Sequence, residues 1–244
     1  MSRRENMSLE WMFSIVENNW HLFLRAMGIT LLIAIVGTIV GAVIGFIIGI
    51  IDTIPKKQTV KNYILRVINF ILTCYVEFFR GTPMMVQAMI VYFGLDLAFG
   101  IDLNILTAGI LVVSLNTGAY MAEIVRGGII AIEKGQYEAA QAVGMTHFQT
   151  MVYVVLPQVW RNSLPATGNQ LVMNIKDTAV LSVIGVNELF FQAKSISGAN
   201  FRYFETFFIA SILYLIMTFT ATRLLRYMAK RLDGPQAYDK KEVL

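Results

Sequence analysis

No residue between Arg25 and Asp52 carries a formal charge. That one stretch limits the fold more than any other feature of the chain. About 20 apolar residues suffice to cross a hydrocarbon core of about 30 Å, so residues 26–51 form a span. The stretch exceeds the roughly 7–15 residues of a signal-peptide core, and no small-residue cleavage site follows it. Composition agrees: 56% of the 244 residues are hydrophobic, 15% are charged and the mean hydropathy is +0.61. Soluble domains sit near 45–50% apolar, so this is an integral membrane protein. Within the span, Gly37, Gly41, Gly45 and Gly49 recur at every fourth position and lay a smooth groove on one helix face, where another backbone can come close. Spacing alone leaves the partner helix open.

Further charge-free runs extend from Gly81 to Leu95 and from Leu103 to Ala122. The first reads as the outer part of a helix over 67–99 that includes Glu77 and Arg80, with Pro83 as a kink. The second gives a span over 103–126. A fourth covers 162–188, interrupted by Lys176 and Asp177, and a fifth covers 204–224. Five spans put the two termini on opposite sides, and the Lys/Arg bias decides which is which. With the N-terminus outside, the inner segments hold Lys56, Lys57, Lys61, Arg66, Arg126, Lys134, Arg161 and the cluster Arg223, Arg226, Lys230, Arg231, Lys240 and Lys241. The outer segments then hold only Arg3, Arg4, Arg25, Lys194 and Arg202. The expected organisation is an extracytoplasmic segment 1–21, a transmembrane domain 22–232 and a cytoplasmic tail 233–244. Trp11 and Trp20 fit an interfacial aromatic belt.

The polar stretch 133–157 between the third and fourth spans is then cytoplasmic. Good helix formers run from Glu133 to Val143, and Gly144 stops them, because glycine readily takes the backbone angles that end a helix. Thr146 and Gln149 have capping-box spacing for a second short helix. Pro157 is expected to end that helix at Leu156. Two short helices at an angle form a docking elbow, with Ala139 and Ala140 small enough to let a partner surface approach. A plain linker between spans is the competing reading by spacing alone.

Glu138-Ala139-Ala140, Gly144 and Leu156-Pro157 resemble the EAA loop of membrane subunits of ATP-binding-cassette importers. Glu77 to Pro83 and Ile175 to Gly185 resemble signature stretches of the polar amino acid permease branch, with Ala179 where many relatives carry serine. The resemblance covers the chain from about Asn19 onward. It implies an all-α membrane protein, a five-helix transmembrane bundle of the type I importer class with cytoplasmic coupling helices. It also implies that Glu138, Ala139, Ala140, Gly144, Met145, Leu156 and Pro157 form the ATPase-coupling element. Implied partners are two ATPase subunits, a second permease subunit, an extracytoplasmic solute-binding protein, an amino acid substrate and membrane lipid, with no nucleic acid. The implied location is the cytoplasmic membrane of a prokaryote.

No G-x-x-x-x-G-K-[ST] phosphate loop occurs in the sequence, so hydrolysis falls to a partner that binds ATP and Mg, and this chain carries no cofactor. No catalytic group is expected, and no metal site either: Cys74 stands alone, and His21 and His147 match no ligand spacing. The segment before the first span is below the roughly 50 residues of a folded domain, which is why a separate binding protein is expected.

Charged groups inside spans cost about 2.5–3.5 kcal/mol on insertion scales and usually face a bundle interior or a watery path. Glu77 and Arg80, at i,i+3, are expected to neutralise one another, and Lys176 and Asp177 form the other intramembrane pair. Thr82, Asn116 and Asp177 fall near the middle of their spans and are expected to converge near the midplane. The full candidate set for the solute path is Glu77, Arg80, Thr82, Gln87, Asn116, Tyr120, Lys176, Asp177, Thr178 and Ser182. Arg80 would meet a solute carboxylate bidentately, and Glu77 or Asp177 its ammonium. Glu123 and Arg126 read as a solvated pair at a helix end. Two other classes compete with an importer subunit: an ion-coupled carrier, which commonly shows inverted repeats, and a scaffold, which needs no buried charge. Sequence leaves open which amino acid is carried and whether the permease dimer is homo- or heterodimeric.

Overall fold

A computed structural model describes residues 2–54 and 60–233, with side chains placed for 8–54 and 63–231. Lys56, Lys57, Lys240 and Lys241, the side chains of Arg3, Arg4 and Lys61, and the tail beyond Asp233 lie outside the described residues. The described residues are helical, with no strand among them.

The helices are α1 (Ser2–Asp52), α2 (Val60–Gly81), α3 (Met84–Phe99), α4 (Ile105–Ile130), α5 (Lys134–Ala142), α6 (His147–Thr150), α7 (Leu156–Asp177), α8 (Leu189–Asn200) and α9 (Tyr203–Asp233). A π-helical turn, Met151–Val155, joins α6 to α7, and a 3₁₀ segment, Thr178–Ile184, follows α7. Among the described residues, three helical stretches are individually long and apolar enough to cross a membrane: Ser8–Asp52, Ile105–Ile130 and Tyr203–Arg231. Two broken pairs, α2 with α3 and the 147–184 run with α8, bring the number to five if each counts as one span. At 51 residues, α1 is about 76 Å long, more than twice the hydrocarbon thickness, so its helix continues well past the bilayer.

Three sequence expectations change. The 67–99 run is two helices rather than one kinked helix, because Pro83 has no amide hydrogen and disfavours helical angles at Thr82. The Thr82 hydroxyl stays on the first helix, donating to the Phe78 carbonyl at 2.7 Å. The 162–188 run is not one helix either: α7 ends at Asp177, the chain tightens into the 3₁₀ segment, and Gly185 (φ 86°) turns it toward α8. Helical structure also does not stop at Leu156. Leu156 keeps helical angles (φ −60°, ψ −37°) and the chain runs straight into α7 through Pro157. The wider π turn just ahead of Pro157 accommodates a ring that would otherwise strike the carbonyl four residues back. Residues 2–21 are helical and continuous with the first span.

The described residues divide into two compact units, each drawn from bounding ranges of the chain. One comprises residues 1–37, 84–113 and 171–227. Its cores gather Ile15, Phe23, Ala34, Ile175, Leu189, Ala193 and Met217 in one cluster, and Ile33, Ala88, Val112, Val113 and Leu181 in another. The other comprises residues 38–83, 114–170 and 228–244. Its clusters pack α4 and the start of α7 around Val125, Ile129, Val155 and Val159, and α1, α2 and α4 around Ile48, Val76 and Ala122.

In this second unit the partner of the glycine face becomes clear. A Cβ built on Gly41 would lie 2.5 Å from the Thr117 Cβ, one on Gly49 would lie 2.7 Å from Val125 Cγ1, and one on Gly45 would overlap the Met121 Cβ. Thr117, Met121 and Val125 recur every four residues on α4, so a ridge of α4 fills the groove of α1. Gly37, buried, belongs to the other unit.

Candidate functional site

The elbow begins where α4 ends. Tyr137 of α5 donates its hydroxyl to the Ile129 carbonyl of α4 at 3.4 Å and packs against the Val125 to Val159 cluster. Its partial burial pushes the phenol above its ordinary range. Helix α5 closes with Gly144 at φ 79°. Met145 N–H donates to the Ala140 carbonyl at 3.0 Å and Gly144 N–H to Gln141 at 2.9 Å, the paired bonds of a glycine-terminated helix end. The next helix opens with the expected capping box: Gln149 N–H donates to Thr146 Oγ1 at 3.3 Å, and Thr146 N–H donates to Gln149 Oε1 at 2.8 Å. Both turns are therefore held by local bonds.

Glu138, Ala139, Gly144 and Pro157 are exposed, and Met145 and Leu156 are half-buried. Among the described residues the Glu138 side chain makes no hydrogen bond or ion pair. Ala140 is a correction: it is buried and seats α5, leaving Ala139 alone on the outer surface. Sequence reading missed the apolar part of the surface, since Val143 and Phe148 are each 75% exposed and Tyr153 69%. A bulky apolar residue on each side of the Gly144 turn was the signal, and it was masked by the polar character of the stretch as a whole.

A polar cluster stands on α2 and α4 of the same unit. Arg80 pairs not with Glu77 but with Glu123, Nη1 to Oε2 at 3.5 Å. Arg126 binds the same carboxylate through both its oxygens, Nε to Oε1 at 3.0 Å and Nη2 to Oε2 at 2.9 Å. At i,i+3 Glu77 and Arg80 share a helix, but the guanidinium reaches across to α4, where its charge lies 5.8 Å from the Tyr120 ring centre as well. Glu123 and Arg126 are thus no isolated solvated pair. Asn116 donates to the Phe79 carbonyl at 3.3 Å, and Tyr75 donates to the Leu115 carbonyl at 2.6 Å. A cavity of about 220 Å³ opens beside the cluster, lined by Asp52 and Gly49 of α1, Thr73, Val76, Glu77 and Arg80 of α2, and Ala122, Glu123 and Arg126 of α4. Asp52 was not foreseen.

The remaining candidates belong to the other unit. Gln87 is buried on α3. Lys176 and Asp177 end α7, both exposed, with no ion pair between them among the described residues. Thr178 is buried and donates to the Ile175 carbonyl at 3.0 Å, and Ser182 is half-buried in the 3₁₀ segment. Glu188, unforeseen, is fully buried. Its two oxygens accept from Phe190 N–H at 2.9 Å and Phe191 N–H at 2.7 Å, and Tyr214 donates to it at 2.8 Å, while Leu189 N–H donates to Thr30 Oγ1 at 3.2 Å. The carboxylate caps α8 and ties it to α9. Glutamate is not among the preferred capping residues, so it escaped notice.

The described residues thus form a helical membrane protein with a locally stapled elbow leading out of α4, the most buried of its three long apolar helices. The chain belongs to the family of binding-protein-dependent transport system inner membrane components, whose family model matches residues 41–234. The glutamine transport system permease protein GlnP of Escherichia coli is 41% identical over 168 residues, 68% of this chain and 76% of that protein. The arginine transport system permease protein ArtQ of Bacillus subtilis is 37% identical over 160 residues, 66% and 73% of the two chains. A crystal structure of an amino acid ABC transporter with histidines superposes with a TM-score of 0.78 at 36% identity, covering 90% of this chain and 98% of that one. An inward-facing methionine transporter, MetNI, has a TM-score of 0.68 at 19% identity and shares the fold.

Proposed function

We propose that this chain is the permease subunit of an ATP-driven amino acid importer, and that the elbow couples it to an ATPase subunit. The observation that carries the reading is the elbow itself. Glu138, Ala139, Val143 and Phe148 are exposed, yet the backbone beneath them is fixed by the Gly144 closure and the Thr146–Gln149 box. A rigid knob with an apolar tip suits insertion into a cleft of a partner, where desolvated anchors dominate binding. Tyr137 links that knob to α4, so force on the elbow reaches a span directly.

The names of the relatives support a polar amino acid as the solute. A second permease subunit, two ATPases holding ATP and Mg, and an extracytoplasmic binding protein complete the assembly. The N-terminus lies outside and the elbow in the cytoplasm, following the Lys/Arg bias. Thr82, Gln87, Asn116, Tyr120, Glu77, Arg80, Lys176, Asp177, Thr178 and Ser182 remain the proposed lining of the solute route. A zwitterion needs fixed donors and acceptors to offset its lost hydration, and these residues supply both.

The test is reconstitution in vesicles with the ATPase and binding protein, using labelled glutamine, arginine and histidine. ATP-dependent accumulation of at least one is expected, and Phe148→Ser should cut both uptake and retention of the ATPase. Accumulation driven by an ion gradient without the ATPase would reject the reading.

A further inference from the structure

Glu123 is shared unequally between two arginines. Arg126, on the same helix, holds both oxygens, and that contact survives any rigid movement of α4. Arg80 comes from α2 and reaches a single oxygen at 3.5 Å, with both side chains partly open to the cavity. Its guanidinium also faces the Tyr120 ring, one turn back along α4, which offers a second seat on the same helix face.

The surroundings differ in the same sense. On one side α4 is locked to α1 by the glycine groove, where almost no added atom fits. At its lower end α4 is tied to α5 by Tyr137. Toward α2 the hydrogen bonds of Tyr75 to the Leu115 carbonyl and of Asn116 to the Phe79 carbonyl hold one part of α4, but around Glu123 a cavity of about 220 Å³ opens between the two helices. The Glu123 end of this seam, held by the Val76–Ala122 contact and one long ion pair with empty space beside it, is the part of the α2–α4 contact that can shift at low cost.

We propose that Arg80 and Glu123 are positioning residues of the transport cycle: their contact holds α2 against the α1–α4 pair in the resting state, and its release lets α2 move when the elbow is driven. This rests on the importer reading above. The contact keeps the resting assembly from hydrolysing ATP until solute arrives.

The test uses the full reconstituted assembly with Arg80→Gln, Glu123→Gln and the double variant. ATP hydrolysis is measured with and without solute-loaded binding protein, together with uptake and the amount of ATPase retained. Each single variant is expected to retain the ATPase, raise hydrolysis without solute about fivefold, equivalent to about 1 kcal/mol of lost restraint, and lose most solute stimulation. The double variant should match the singles, because both remove one contact. Arg80→Lys should restore low resting hydrolysis in part. Unchanged resting hydrolysis, or a parallel fall of hydrolysis, uptake and ATPase retention, overturns the proposal in favour of a merely structural pair. A raised half-saturating solute concentration with low resting hydrolysis overturns it in favour of direct solute binding by Arg80. A parent assembly without solute-stimulated hydrolysis overturns the importer reading and this proposal with it.

Discussion

Helix α4 meets its two neighbours in opposite ways. Against α1 it lies backbone to backbone: Gly41, Gly45 and Gly49 leave no room for a methyl group over Thr117, Met121 and Val125. Against α2 it keeps the Tyr75 and Asn116 hydrogen bonds, Val76 and Ala122 in contact, one shared carboxylate and a cavity. In lipid no hydrophobic force favours one helix contact over another, so closeness of packing sets the order of strength. The contrast teaches that a single helix can be both anchored and articulated. The anchored side is fixed by residues that are absent, and the articulated side by charges that are present.

The comparison breaks most severely at Gly45. In Gly45→Leu the added side chain runs into Met121 and the α4 backbone, and loss of folded protein from detergent extracts is expected on size-exclusion chromatography. If that variant folds with parental thermal stability, the close seam is not real. Next comes Glu188→Ala in the other unit, which strands the Phe190 and Phe191 amides and the Tyr214 hydroxyl together. A loss of about 2–3 kcal/mol is expected, read as a lower melting midpoint, with Glu188→Gln intermediate because one acceptor remains. Val76→Ala sharpens the contrast from the loose side: removing two methyl groups beside an existing cavity should cost about 1.5 kcal/mol or less. Glu123→Gln is expected to change thermal stability least, by about 0–1 kcal/mol, since the pair is half-exposed. A large stability loss there would make the ion pair a structural clamp.

How far the sequence could be read follows from the same physics. The charge-free stretch 26–51, the glycine period and the Thr146–Gln149 box are local patterns, and the helices, the groove and the cap appear where those patterns put them. Pro83 and Pro157 carry the same local signal but opposite outcomes. One breaks a helix and the other is absorbed by a π turn, because the decision depends on packing of Met151 and Val155 against α4. Partner choice was least legible. Glu77 and Arg80 match the rule for i,i+3 pairs, yet Arg80 turns to Glu123, 43 residues on, a contact no helical period encodes. Glu188 needed Tyr214 from another helix to be seen as a cap. Burial of Ala140 beside exposed Ala139 likewise reflects which face of α5 rests on its unit.

Spin labels on exposed positions test the anchored and articulated sides together. One pair, Ile47 with Ile130, reports α1 against α4; another, Ile64 with Ile130, reports α2 against α4, both in a Cys74→Ser background. Between the nucleotide-free and ATP-trapped assemblies the first distance should stay within about 1–2 Å, while the second should change by about 5 Å, a helical turn. Equal movement of both pairs, or none in the second, would contradict the account.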